Sequence, residues 1–322
     1  MPPSSNKSLV DFFTRSLGAF QTSADSVRIL CTIHGGAKQS DYAAASAVLS
    51  RKPRRRVQNL IVLDSSFNPP TVAHGAMLRS AIETFRGSHR QAATGGSRCR
   101  ILLLLSVNNA DKAAQPATFT QRLCMMERFG KEILAEISGH RDAQAADTNT
   151  EDGDGEASIA VDLGVTTFPY FHDKAAAISA SSFYQVENVQ PGMTFLVGFD
   201  TLIRILNPKY YKLGIEKELD PFFKAAGLRV TVREDDEWGS AEEQRRWLDR
   251  LKDDKDNALN GDAICREEWL DKVVMVEGMG KSISSSRVRN CVQSGEGSLD
   301  GLVGDEVRQW MEEANLYKQT PS

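Results

Sequence analysis

The 322-residue chain reads as an α/β protein: a doubly wound, mostly parallel sheet flanked by helices, with a helical part at its carboxyl end. Three observations predict this. Short apolar runs such as Leu60-Ile61-Val62-Leu63 have the length and uniform hydrophobicity of strands buried on both faces. Segments with apolar residues at helical spacing lie between them. Several runs also end in polar turn formers, and that is the edge at which open α/β sheets collect ligands.

Residues 5–24 carry Leu9, Phe12, Phe13, Leu17 and Phe20 on one stripe, an amphipathic helix for packing on the main domain. Val27 to Ile33 reads as a short strand, and Ala-rich Ala43 to Ser50 as a helix. The basic run Arg51 to Arg56 is a solvated linker, with a nuclear address as the alternative. Residues 1–56 are accordingly set apart as an N-terminal extension and 57–322 as the main domain.

That domain opens with the strand Leu60–Leu63 and the loop Asp64-Ser65-Ser66-Phe67-Asn68-Pro69-Pro70. Thr71 then caps a helix from Val72 to about Phe85, with Ala73, Met77 and Leu78 on its stripe. Arg86 to Arg98 is a Gly/Ser-rich loop, Arg100 to Ser106 a second buried strand, and Thr120 to Ile137 a helix. Residues 140–158 hold six acids and no base after Arg141, a composition that predicts a disordered insertion. Ile159 to Leu163 resumes a strand, followed by a helix at Lys174 to Glu187 and a strand at Met193 to Val197. Gly198-Phe199-Asp200 lies at the end of that strand. Asp200 is placed to bond a ribose hydroxyl, to approach a metal, or to cap a helix from Thr201. Leu228–Val232 and Lys272–Val276 are the last strands, with a charged helix at 234–256 between them and a final helix at Val303 to Tyr317.

Composition excludes several classes of function. A formal net charge of -4 argues against a general nucleic-acid binder, and no apolar run is long enough to cross a membrane. The five cysteines are scattered, odd in number and outside any CxxC pair, which argues against a zinc site or a disulfide framework. A reduced compartment fits, the cytoplasm first and the nucleus second.

Two segments carry chemistry. The strand–turn–helix over 57–80 aims backbone N–H groups and a helix dipole at one point, as a phosphate site requires. His74, in the first turn of that helix, reaches the same point as a cationic donor. Near the other end, Ser284-Ser285-Ser286 open a helix with Arg287 and Arg289 close behind, a set suited to a polyphosphate. Neither a Walker loop nor a complete GxGxxG is present.

Together these segments resemble the nucleotidylyltransferase superfamily with its (H/T)xGH and ISSTxxR signatures. The first reads Thr71-Val72-Ala73-His74 within SFNPPTVAH, the second Ile283-Ser284-Ser285-Ser286-Arg287-Val288-Arg289. The SFNPxT context and Gly198-Phe199-Asp200 resemble nicotinamide mononucleotide adenylyltransferases, above all a fungal-type branch with DSSFNPP. The similarity spans about residues 57–292, with a weaker match at Arg122 to Glu127. The resemblance implies a Rossmann-like fold and transfer of AMP from ATP to nicotinamide mononucleotide, giving NAD and pyrophosphate. It implies that His74 donates to the α-phosphate, with Ser66, Phe67, Asn68 and Thr71 around that phosphate. Ser284, Ser285, Ser286 and Arg289 would then hold the β- and γ-phosphates, Gly198 and Asp200 the nucleoside, and Mg²⁺ would accompany ATP. Lys112, Phe168 and Tyr170 fall to the acceptor, with Phe171 as another ring able to stack on it.

The chain departs from the family pattern at Ser65 and Ala73, where relatives carry glycine, and in lacking the Trp-Glu pair expected after Val161-Asp162. The alternatives are a nucleotidylyltransferase of this fold with another acceptor, and a nucleotide-binding regulator without turnover.

Overall fold

The structure, a computed structural model, describes residues 4–34, 50–89, 98–107, 116–142, 159–232, 238–253, 265–278 and 283–318. The expected helix at Ala43 to Ser50 (save Ser50 itself), the acidic insertion beyond Asp142 and the loop carrying Lys112 lie outside these residues.

Among the described residues, seven strands build one sheet: β1 (Val27–His34), β2 (Asn59–Asp64), β3 (Cys99–Ser106), β4 (Ala160–Thr166), β5 (Gly192–Gly198), β6 (Ala226–Thr231) and β7 (Val273–Val276). Their order is β1-β4-β3-β2-β5-β6-β7. Every pairing is parallel except β1 on β4. From β2 the chain winds outward through β3 and β4, then returns to lay β5 on the other side of β2. The reversal between β2 and β5 is the switch point at which such sheets leave a crevice at their carboxyl edge.

Alternation along β2 divides the core. Ile61 and Leu63 point to the face covered by α1 (Ser4–Gln21), α2 (Val72–His89), α3 (Phe119–Asp142), α9 (Ser285–Ser294) and α10 (Asp305–Glu313). Leu60 and Val62 point to the face covered by α4 (Phe171–Ala180), α5 (Phe199–Ile205), α6 (Ile215–Ala225), α7 (Ala241–Asp253) and α8 (Glu267–Leu270). Strands β2, β3 and β4, at the centre, are buried almost throughout, which is why they read as continuous apolar runs. β6 alternates between buried and half-buried positions, as its sequence does between apolar and polar residues.

The N-terminal segment supplies an edge strand and part of this core. Leu9, Phe13, Leu17 and Phe20 of α1 are buried with α3. β1 is fixed to its neighbours by a buried polar knot centred on Asp162. Its carboxylate accepts from Thr32 Oγ1 at 2.6 Å and Tyr184 OH at 3.0 Å, and it pairs with Arg100 at 2.7 Å. Burial raises the Asp162 pKa and the Arg100 guanidinium opposes the rise.

Several expected boundaries move. α2 runs on into the expected loop, to His89, and α3 to Asp142, so the segment expected as an insertion begins as helix. α4 occupies Phe171–Ala180 rather than 174–187. Just past its end Ser182 takes a positive φ of 51°, which a continuing helix excludes. Glu187 and Asn188 also take positive φ (52° and 61°), in a tight turn that brings Val186 opposite Val189. α6 fills a stretch to which spacing assigned no element. It buries Ile215, Leu219, Phe222 and Phe223 despite Pro221 inside it. The C-terminal helix α10 ends at Glu313, followed by Asn315 and Tyr317 at positive φ.

Candidate active site

A cavity of about 470 Å³ opens at the carboxyl edge, over the switch point. Its floor is Leu63 to Ser65 from β2 and Leu196 to Gly198 from β5. Thr71, with Ala73, His74 and Met77 of α2, forms one wall, Ile283, Ser284 and Ser285 another, and Phe171 of α4 a third.

The loop after β2 is held from below by the other signature segment. Ser285 Oγ donates to Pro69 O at 2.8 Å, and Arg289 Nη1 donates to Asn68 O at 2.7 Å. Tyr317 OH donates to Asn68 Oδ1 at 2.7 Å, and Leu302 O accepts from Val72 N at 3.0 Å. Asn68 is 1 % exposed, so its side chain is a structural tie rather than a surface contact. Two segments more than two hundred residues apart are thus joined by direct hydrogen bonds.

His74 sits half-buried at the head of α2, with the rings of Phe67 and Phe129 packed 5.7 and 6.5 Å away. Thr71 N donates to its Nδ1 at 3.0 Å, and Thr71 Oγ1 lies 2.8 Å from the same atom. With Nδ1 serving as acceptor, the ring proton is assigned to Nε2, 3.0 Å from Ser65 Oγ. Burial lowers the pKa of His74 from 6.5 to about 4. The expected cationic donor is therefore neutral near pH 7, because aromatic rings surround it where a carboxylate would be needed to hold a charge. A neutral imidazole still presents one N–H.

At the start of α9, each of the three serines has a task. Ser284 caps the helix, its Oγ accepting from Arg287 N at 3.2 Å. Ser285 ties the loop, and Ser286 Oγ accepts from Arg289 Nη2 at 3.0 Å. Ser284 and Ser285 line the cavity, whereas exposed Ser286 and half-buried Arg289 lie outside its lining.

Asp200 also lines the cavity, but it does not cap the helix. α5 begins at Phe199 with Gly198 as its cap residue, and Asp200 in the first turn pairs with Arg204 one turn on. A Cβ at Gly198 would meet Asp200 Oδ1 at 2.7 Å, so glycine leaves the space this carboxylate uses. Phe67 is fully buried and offers the cavity no side chain, while Ser66 is exposed outside its lining. Neither Phe168 nor Tyr170 lines the cavity: Phe168 is half-buried beside Ser106, and Tyr170 stacks on His172. Phe171 is the ring that faces inward.

Sequence reasoning did not assign a site role to Asp64, Ser65, Lys174, Thr231 or Glu277. All but Lys174 line the cavity, and Lys174 pairs with Asp64 just behind it. A carboxylate ending a buried strand was the one readable signal among them. Among the described residues there is no group of three or more His, Cys, Asp or Glu side chains able to hold a metal, nor a helix long and apolar enough to cross a membrane.

No family model matches the chain. It is 12% identical to a Plasmodium falciparum nicotinic acid mononucleotide adenylyltransferase complexed with APC, with a TM-score of 0.42 over 81% of this chain and 97% of that one. The same Plasmodium falciparum enzyme complexed with NaAD gives 13% identity and a TM-score of 0.39 over the same shares. The chain is 32% identical over 241 residues, 74% of its length and 77% of the relative's, to a Schizosaccharomyces pombe protein named "Putative nicotinamide mononucleotide adenylyltransferase". With that extent of identity, the chain belongs to the nicotinamide mononucleotide adenylyltransferase family.

Proposed function

We propose that the chain transfers the adenylyl group of ATP to nicotinamide mononucleotide, forming NAD and releasing pyrophosphate. The observation that carries this reading is the docking of α9 on the loop beside His74, through Ser285 to Pro69 and Arg289 to Asn68. It sets a helix N-terminus and a ring N–H in the lining of one cleft, an arrangement suited to a polyphosphate undergoing attack at its α-phosphorus. The name of the Schizosaccharomyces pombe relative supports the nicotinamide nucleotide as acceptor.

In this mechanism a phosphate oxygen of the acceptor attacks the α-phosphorus in line. The bond to the bridging oxygen breaks, and pyrophosphate leaves with that electron pair. No covalent enzyme intermediate forms, so the protein contributes position and charge stabilisation. His74 Nε2–H moves its hydrogen bond from Ser65 to a non-bridging α-phosphate oxygen, where negative charge grows. The anion in turn draws the imidazole pKa upward from its depressed value. The backbone N–H groups at the head of α9 and the Ser284 hydroxyl receive the departing pyrophosphate, and Arg289 keeps that helix against the loop. Asp200 accepts from a ribose hydroxyl. Mg²⁺ would accompany ATP as part of that substrate and would neutralise triphosphate charge.

The test is to incubate the purified protein with ATP, Mg²⁺ and a panel of phosphate-bearing acceptors. NAD and pyrophosphate in equal amounts are expected from nicotinamide mononucleotide. A different adenylylated product would reassign the acceptor, and ATP binding without pyrophosphate release would remove the activity.

A further inference from the structure

Asp64 ends the central strand and, by the alternation that buries Leu60 and Val62, faces the side of the sheet covered by α4. Its Oδ2 accepts from Lys174 Nζ at 2.5 Å. The Lys174 side chain is 3% exposed and lies 5.1 Å from the centre of the Phe171 ring, while the Asp64 side chain is 12% exposed. The ammonium thus has a carboxylate and a ring face as its surroundings, and it neutralises one oxygen of Asp64. The other oxygen, Oδ1, is buried and receives no hydrogen bond from any described residue. A desolvated carboxylate oxygen is a strong acceptor short of a donor. Asp64 and Phe171 both line the cavity.

Topology says which substrate that oxygen would meet. His74 and the α9 serines belong to helices on one face of the sheet, with α9 docked on the loop after β2. Phe171 and Lys174 belong to α4, on the other face. A triphosphate laid on α9 with its α-phosphorus at His74 leaves the α4 side for the acceptor. We propose that Asp64 determines acceptor specificity: its Oδ1 accepts from a neutral donor on the acceptor nucleotide, either the carboxamide N–H or a ribose hydroxyl. Lys174 is its positioning residue. This inference rests on the acceptor assignment proposed above.

The measurement is steady-state kinetics of wild type and Asp64→Asn, varying ATP and acceptor separately, with thermal unfolding of each. Removing the carboxylate raises the acceptor KM about tenfold or more and leaves the ATP KM within about twofold. Two acceptor arms identify the donor. If it is the carboxamide, the wild-type preference for nicotinamide over nicotinate mononucleotide collapses in the variant, because a negative oxygen no longer repels the carboxylate. If it is a hydroxyl, that preference persists and the corresponding deoxyribose acceptor shows no further loss in the variant. Should Asp64→Asn be unstable beside a buried ammonium, Asp64→Asn with Lys174→Gln removes both charges and is expected to give the same split. An unchanged acceptor KM, or equal rises for ATP and acceptor, overturns the inference while NAD formation by wild type still stands. Wild type that makes no dinucleotide from either acceptor overturns the acceptor assignment and this inference with it.

Discussion

The two sides of the cleft hold their polar groups in different ways. On the side of α2 and α9, hydroxyls, a guanidinium and backbone groups bond one another, and these bonds tie the two signature segments together. On the side of α4, one buried ion pair faces the cavity with an acceptor still unfilled. A polyphosphate can be met by helix ends and short hydroxyl runs, which are local in sequence. A nucleoside must be read by single side chains brought from separate elements. The first side is braced by its own bonds, and the second keeps a buried acceptor that no described residue fills.

The largest expected effect tests the phosphate side. His74→Ala should lower kcat by about two to three orders of magnitude, as does removal of a donor at developing charge, with ATP affinity nearly kept. Turnover alongside calorimetric ATP titration checks this, and near-normal kcat would take His74 out of the mechanism. Next is the ion pair on the other side. Lys174→Met leaves Asp64 without its partner and should cost about 3 kcal/mol of stability, read from denaturant unfolding. A loss below about 1 kcal/mol would mean the pair is better hydrated than its burial implies. Arg289→Ala releases α9 from Asn68 O and should weaken ATP binding about tenfold, with little change in acceptor KM. Equal weakening of both substrates would erase the distinction between the two sides.

The smallest effect concerns protonation. In the free protein, the His74 ring should titrate near 4 by NMR rather than at its ordinary 6.5, and move upward when an ATP analogue binds. The unfolded chain binds this proton from 6.5 downward and the folded protein only near 4. The contribution of neutral His74 to stability is therefore present above 6.5 and lost between 6.5 and 4. A titration near 6.5 would show a wetter pocket than the packing of Phe67 and Phe129 allows.

These differences also explain what the sequence made legible. Strands β2 to β5 were readable because burial on both faces leaves apolar runs, as in Ile101 to Leu105. The order of the strands was not readable, because pairing joins segments far apart in the chain. His74 and the α9 serines were found because each lies in a contiguous signature at a helix start. The charge state of His74 was not, since desolvation by Phe67 and Phe129 is a product of the fold. Asp64 and Lys174 stand 110 positions apart and share no local pattern, so only the assembled sheet and its covering helix bring them together. Phe171 faces inward rather than Phe168 or Tyr170 because α4 begins at Phe171, a boundary that propensity alone set three residues late.

The bond from Tyr317 to Asn68 crosses 249 positions, and those from α9 to the same loop cross more than two hundred. A ribosome therefore finishes the central strands well before it delivers the residues that fix the loop beside His74. Those strands can pair during synthesis, but the cleft is closed only by residues that emerge long after them. A nascent or truncated chain lacking those residues would fold around an unfinished site, and completion of the cleft becomes a late event in the life of the molecule.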